Sequence, residues 1–343
     1  MTSADRTVRC LAAAALLLLA ACSREVPVVS LEGPTMGTQF SVRIAGAVAD
    51  PEALGEAIRI ELAGINALMS TWQPDSELSL FNAAESLEWW PVSQATADVV
   101  AAALAVNVET AGALDVTVGP LVNLWGFGPA AVAPVRPAEA LLEATRERVG
   151  ADLLEVRGEP PALRKARPDV YVDLSAIAKG YAVDRLGELL EASGVESYLV
   201  DIGGELRARG RPAEDRGWRV AIERPLDVGR SIQRIIEPGD NGVATSGDYR
   251  NYFERDGRRF AHVIDPRSGE PVLQTLASVT VLAPETMRAD ALATALLVMG
   301  KDDALAFAID RGIPVLLIER SDDGFLEHAT PAMTRHLIDG GTS

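Results

Sequence analysis

Cysteine is almost absent from this chain, which has only Cys10 and Cys22 among 343 residues. If a signal segment carrying Cys10 is removed, Cys22 stands alone. An intramolecular disulfide and a cysteine-ligated metal site are then excluded. Stability must come from a packed core, which a chain 48% hydrophobic and 24% charged can build. Basic charge is also short: 32 Lys and Arg face 49 Asp and Glu, a formal net charge of −17. That excludes the broad cationic surface that nucleic-acid binding needs, though not one local anion site. Histidine occurs three times, as His262, His328 and His336. Neither standard nucleotide fingerprint is present, since the chain has no G-x-G-x-x-G and no P-loop lysine pattern. The purely apolar run over residues 11–21 is too short to span a membrane stably.

That run is instead a targeting signal. Arg6 and Arg9 precede it, and it ends Leu19-Ala20-Ala21-Cys22, the pattern at which bacterial lipoprotein precursors are cleaved. The expectation is a signal peptide over residues 1–21, a lipidated Cys22 and a tether over 22–33. The alternative is an ordinary signal peptide with an incidental cysteine. Acyl chains add about 0.8 kcal/mol per buried CH₂, so a multiply acylated Cys22 anchors firmly.

Residues 38–44 alternate with the period of a strand, Phe40, Val42 and Ile44 sharing a face. Pro51–Met69 is helical in pattern with proline at its start. Residues 93–112 read as a helix ended by glycine, 129–137 as a surface loop and 136–149 as a third helix. Residues 153–263 carry short strands around one helix, about Ala178–Ala192. Strands over 276–282 and 313–318 and helices over 285–299 and 302–310 complete the chain. Strands grouped around interspersed helices predict an α+β fold rather than a βαβ repeat. One domain is expected over 34–330, followed by a C-terminal tail over 331–343.

Three segments carry the chemistry. The first is Val172-Asp173-Leu174-Ser175-Ala176-Ile177-Ala178-Lys179, where an acid and a base flank the turn from an apolar run with strand character (Val170-Tyr171-Val172) into a helix. The second is Ala244-Thr245-Ser246-Gly247-Asp248, whose small residues either let backbone N–H groups approach an anion or form a simple turn. In the third, Asp290 and Thr294 lie four apart on one helix face. A carboxylate plus a hydroxyl suits Mg²⁺, with the 174–177 turn able to add a carbonyl; otherwise Asp290 stabilises a helix N-terminus and Thr294 packs. Together they would supply oxygen ligands for a hard cation, a phosphate-binding stretch and a lysine, the requirements of phosphoanhydride chemistry. His262 ends a strand before the turn Asp265-Pro266-Arg267-Ser268-Gly269 and is either a proton acceptor for a hydroxyl or a structural hydrogen-bonding group. His328 and His336 read as surface residues. Trp72 can stack on a planar ring or pack in a core. Gly37, after Met36, permits close backbone approach to a ligand, and Asp115 can accept from a ligand N–H or cap the next segment.

In this order the motifs resemble the FAD:protein FMN transferase (ApbE) family. The matching stretches are Pro34-Thr35-Met36-Gly37-Thr38, Met69-Ser70-Thr71-Trp72, Leu78-Ser79-Leu80-Phe81-Asn82 and residues 115–127, 172–184, 199–205, 243–249, 262–269 and 289–294. The resemblance implies mixed or antiparallel sheets with flanking helices and an FAD cleft between lobes. It implies a metal held by Asp290, Thr294 and the Ala176 carbonyl. It implies FAD contacts from Met36, Trp72, Ala113, Leu114, Asp115, Asp173, Lys179 and Ile264, with His262 assisting the attacking hydroxyl. Leu114 and Trp72 stand where Phe and Tyr are commoner. The implied activity is Mg²⁺-dependent transfer of FMN from FAD to a threonine hydroxyl of a target protein, with release of AMP. The implied targets are flavin-bearing subunits of membrane electron-transfer complexes. A lipid-anchored enzyme at the inner membrane facing the periplasm would stand beside them. The competing readings are an FAD pyrophosphatase yielding FMN and AMP, and a non-catalytic flavin-binding lipoprotein.

Overall fold

A computed structural model describes residues 27–129, 135–213, 216–226, 229, 231–248, 252–255, 258–272 and 275–338. The expected signal peptide and Cys22 lie outside the described residues, as does part of the 129–137 loop. The first half of the chain contains β1 (Val28–Thr35), β2 (Thr38–Ala45), α1 (Pro51–Met69), α2 (Glu77–Ala83), β3 (Trp90–Pro91), α3 (Gln94–Glu109), α4 (Gly119–Leu124), α5 (Glu139–Arg146), β4 (Leu154–Gly158) and β5 (Pro161–Lys165). Then come α6 (Ala178–Ala192), β6 (Tyr198–Ile202), β7 (Glu205–Arg209), β8 (Val220–Glu223), β9 (Ile232–Ile236), β10 (Gly242–Gly247), β11 (Tyr252–Arg255) and β12 (Arg258–Ala261). The chain ends with β13 (Leu276–Ala283), α7 (Thr286–Met299), α8 (Lys301–Asp310), β14 (Val315–Ser321), β15 (Gly324–Ala329) and α9 (Pro331–Thr334).

One eight-stranded sheet organises the fold, in the order β1-β2-β6-β7-β10-β13-β14-β15 with antiparallel neighbours throughout. Its side chains alternate between two cores, as the two-residue period of a strand requires. Phe40, Val42, Val200, Val279, Val281 and Leu317 enter the larger core with α1, α3, α6 and α7. Leu199, Val243, Leu282, Leu316 and Ile318 enter a smaller one under β8 and β9. Because β13 and β14 are covered on both faces, they read as continuous apolar runs. The mixed α+β architecture and antiparallel sheets match the expectation, and α1 and α6 have the expected limits.

Three expectations change. Residues 28–33 of the expected tether belong to β1, which pairs with β2 from Val28↔Ala45 to Thr35↔Thr38, and Val29 and Leu31 pack against the core. The two turn residues, Met36 (φ 48) and Gly37 (φ 72), are both left-handed, the conformation that a two-residue hairpin favours. Gly37 is therefore explained by the turn. The helix expected over 136–149 is shorter, Glu139–Arg146. The start of the expected C-terminal tail is packed, with Met333 fully buried and Leu337 bridged to Ile236.

Lys165 shows how tightly the first half is tied together. Its ammonium is buried, donates to the carbonyls of Asn82 (3.0 Å) and Ala84 (2.9 Å), and lies 4.8 Å from the Phe81 ring centroid. Burial pushes its pKa down to about 8, against the pull of Asp169. Unfolded, it titrates near 10.5, so between these values the unfolded chain holds more protons and stability rises with pH. The penalty of burying the charge is full below that window and gone above it. Between about pH 7.5 and about pH 10, the urea-unfolding free energy of the wild type should rise by on the order of 2 kcal/mol more than that of Lys165→Met. Parallel profiles for the two proteins would contradict this.

Candidate active site

The main cleft opens where the large sheet parts. β10 pairs with β7 only at Gly242↔Arg207 and Val243↔Leu206, so among the described residues Thr245, Ser246 and Gly247 have β13 on one side and no strand on the other. This stretch is the end of a central strand, neither the loop nor the turn read from its small residues. The resulting cavity has a volume of about 770 Å³. Thr245, Ser246 and Gly247 line it together with Glu205, Leu206, Lys179, Asp290 and Thr294.

At its base two helices cap one another. Asp184 on α6 accepts from the backbone N–H groups of Thr286 (2.9 Å) and Met287 (2.8 Å) at the start of α7. Asp290 on α7 accepts from Gly180 N (3.0 Å) at the start of α6. The exchange satisfies helix-terminal donors in both directions and places a carboxylate at each positive end. It needs close approach at Gly180, where a Cβ would stand 2.5 Å from Thr286 O and 2.7 Å from Met287 Cα. Asp290 does stabilise a helix N-terminus, but that of α6 rather than its own.

The same carboxylate faces the cleft. Lys179 Nζ lies 3.9 Å from Asp290 Oδ1 and 2.8 Å from Glu205 Oε2. The second contact is an ion pair at an angle that leaves Oε2 without a hydrogen bond. Asp290 is 2% exposed and Glu205 4%. Burial raises Asp290, with Lys179 and the Gly180 N–H opposing. Burial also pushes Glu205 up to about 7, Lys179 opposing and Asp290 adding to the rise. Burial works against the Lys179 ammonium, but Asp290 and Glu205 outweigh it and its pKa rises, so it stays charged. Thr294 Oγ1 meets Ser246 Oγ at 2.9 Å one turn along α7. Among the described residues no three His, Cys, Asp or Glu side chains cluster as a metal site. A cation here would use one carboxylate, the Thr294 hydroxyl and the Ala176 carbonyl, and this all-oxygen set suits Mg²⁺. Gly180 N engages Asp290 Oδ2, so Oδ1, 3.9 Å from Lys179 Nζ, is the oxygen that would ligate.

The walls come from the loops. Residues 170–172 belong to no sheet, and Asp173 N donates to Val116 O (2.7 Å). Asp173 Oδ1 accepts from Ser175 N (2.9 Å) and Ser175 Oγ (2.5 Å), shaping the turn that leads to Ala176 and Lys179. Asp115 Oδ1 accepts from Thr117 N (2.8 Å) and Thr117 Oγ1 (2.6 Å); burial raises its pKa, with the Thr117 bonds opposing. Trp72, 67% exposed, lines the cleft and has ring area available for stacking. His262 follows β12 as expected and meets Phe127 edge-on at 6.4 Å. Phe127, Phe253, Phe260 and Trp125 form an aromatic ladder behind it. Trp125 Nε1 donates to Gly269 O (2.9 Å) and ties that ladder to the turn after Ile264.

The cleft thus gathers Trp72, Ala113, Leu114, Asp115, Asp173, Ala176, Lys179, His262, Ile264, Asp290 and Thr294. Met36 is outside its lining, partly buried against the core in the β1–β2 turn. Glu205 and Ser246 lie in stretches singled out from the sequence, 199–205 and 244–248, but neither has a role of its own there. The signal for Glu205 is an acid that follows Gly203-Gly204 and opens β7; Ser246 is one of several small residues with nothing to set it apart from Thr245. His328 and His336 are not free surface groups: His328 Nε2 meets Glu319 Oε2 at 2.9 Å and His336 Nδ1 meets Glu237 O at 3.0 Å.

The chain matches the ApbE family over residues 36–317. It is 49% identical over 328 residues to an FAD:protein FMN transferase of Vibrio cholerae, covering 95% of this chain and 98% of that one. It is 42% identical over 314 residues to an FAD:protein FMN transferase of Escherichia coli K12, covering 91% and 90%. The solved structure of the flavin transferase ApbE from Vibrio cholerae superposes with a TM-score of 0.84 at 47% identity, covering 91% of this chain and all of that one. The apo flavinyl transferase ApbE of Pseudomonas stutzeri gives 0.83 at 39% identity, covering 92% and 98%.

Proposed function

The chain belongs to the ApbE family, and on that premise we propose that it is a transferase that moves FMN from FAD onto a target protein, at a threonine hydroxyl. The observation that carries this is the convergence in one cleft of a charged lysine, an oxygen donor set, a rim tryptophan and a histidine.

Each side chain then has work suited to its surroundings. Lys179, kept charged by Asp290 and Glu205, attracts the pyrophosphate of FAD. Asp115 and Asp173, each with one oxygen engaged locally, accept from polar hydrogens of the nucleotide. Trp72 offers its exposed face to a planar ring. His262 takes the proton of the acceptor hydroxyl as its oxygen bonds to the FMN phosphorus and the bond to the AMP oxygen breaks. Asp290, Thr294 and the Ala176 carbonyl would hold Mg²⁺, which supplies charge neutralisation at the phosphates.

The assay is incubation of the protein with FAD, Mg²⁺ and a candidate acceptor, followed by flavin fluorescence on a denaturing gel. A fluorescent acceptor band is expected. FMN and AMP without labelled acceptor would show water to be the acceptor instead.

The lipoprotein signal supports placement at the inner membrane facing the periplasm, beside the flavin-bearing subunits of membrane electron-transfer complexes. Metabolic labelling with a fatty acid should mark the wild type and leave Cys22→Ser unmarked. An unlabelled, soluble wild type would overturn the anchor.

A further inference from the structure

Asn82 belongs to none of the roles above, yet its side chain makes a two-point bond to the backbone beside the site. Nδ2 donates to Val172 O and Oδ1 accepts from Val172 N, both at 2.8 Å. A side-chain amide carries the same donor and acceptor pair as a peptide. Asn82 thus serves Val172 as a sheet neighbour would, and among the described residues no strand pairs with 170–172. The next residue, Asp173, is tied on through its N–H to Val116 O (2.7 Å) and lines the cleft.

Asn82 is itself held. It lies in the last turn of α2, whose Leu78 and Phe81 are fully buried. Its carbonyl receives Lys165 Nζ at 3.0 Å. At the opposite end of α2, Ser76 Oγ (2.5 Å) and Ser79 Oγ (3.1 Å) donate to Ser70 O, just before Thr71 and Trp72 at the cleft rim. The helix therefore brackets two cleft segments far apart in the chain, with Asn82 its contact to the second.

We propose that Asn82 is a positioning residue: by clamping both backbone groups of Val172 it sets where the Asp173 carboxylate stands in the cleft. The proposal rests on the reading that Asp173 contacts FAD. Asn82 does not line the cleft, so it should act on FAD affinity through Asp173 alone.

A double-mutant cycle on FAD affinity, read by quenching of flavin fluorescence, tests this without any transfer assay. Asn82→Ala should weaken FAD binding by on the order of tenfold. In an Asp173→Ala background the same substitution should change affinity by less than about twofold. Asn82→Asp keeps the size but sets a carboxylate oxygen against Val172 O, so its loss should be at least that of Asn82→Ala. It also stands in for Asn82→Ala should that variant fail to fold by circular dichroism. Additive losses, or wild-type affinity in the Asn82 variants while Asp173→Ala is impaired, would overturn the proposal and leave the FAD reading intact. Wild-type affinity in Asp173→Ala would remove that residue's contact with FAD and the proposal with it.

Discussion

Asp290→Asn should lower FMN transfer by on the order of 10³-fold or more while the protein stays folded, because it removes several kcal/mol of charge organisation at the phosphates. Asp290 is the only full negative charge among the proposed metal-holding groups. It lies nearly buried, 3.9 Å from Lys179. Asparagine keeps the size and an oxygen that can accept from Gly180 N, so the capping bond to α6 can survive. Lys179 also keeps a partner. Asp290 contributes to raising the Glu205 pKa, so without its charge Glu205 ionises more readily and holds the lysine. A loss of transfer with little change in the urea midpoint is therefore expected. Chelation should silence the wild type and added Mg²⁺ should restore it. In the absence of FAD, Mg²⁺ should raise the melting temperature of the wild type and not that of Asp290→Asn. Transfer within tenfold of wild type in the variant, or a wild type indifferent to chelator, would remove Asp290 from the role given to it.

His262→Ala should separate binding from chemistry. A positioned general base contributes about 10²–10⁴-fold, and only where a proton must leave the nucleophile. FAD affinity depends on the lysine, the carboxylates and the rim tryptophan, so it should stay within a few-fold of wild type while FMN transfer falls by about that 10²–10⁴ factor. The side chain stands against Phe127 rather than in a main core cluster, so truncation leaves the ladder of Trp125, Phe260 and Phe253 intact. The measurement is FAD titration beside single-turnover transfer to the acceptor. Equal losses of affinity and rate would mean that His262 shapes the turn at Asp265. Unchanged transfer would leave metal and positioning to carry the reaction.

Legibility varied with the range of the interaction. Helix α1 was readable to the residue because Pro51 opens it and Leu54, Ile58, Leu62, Ile65 and Met69 bury one face at helical spacing. Helix α6 and strands β2, β13 and β14 were legible for the same kind of reason. Residues 170–172 have strand composition, yet they join no sheet and Asn82, 90 residues away, bonds Val172 where a strand would. Residues 244–247 look like a loop because they are small, yet they finish a central strand. Their size lets the cleft form at the unpaired edge, and propensity does not see that edge. Residues 28–33 read as part of a tether because their alternation is weak and their pairing partner, β2, lies beyond them.

By itself the sequence determined the local elements with strong periodicity, the order of the chemistry-bearing motifs, and a chemistry limited to oxygen, lysine and histidine side chains by the shortage of cysteine. Only the tertiary structure decided which of those groups meet. The Asp290–Gly180 bond joins residues 110 apart, and the Asp184–Thr286 bond joins residues 102 apart. The Glu205 carboxylate reaches Lys179 because β7 runs beside α6, and its pKa rises because that junction is dry. Period and propensity are properties of neighbouring residues. Burial, ion pairing and the parting of β7 from β10 depend on which distant segments pack together, so they appear only once the chain is folded.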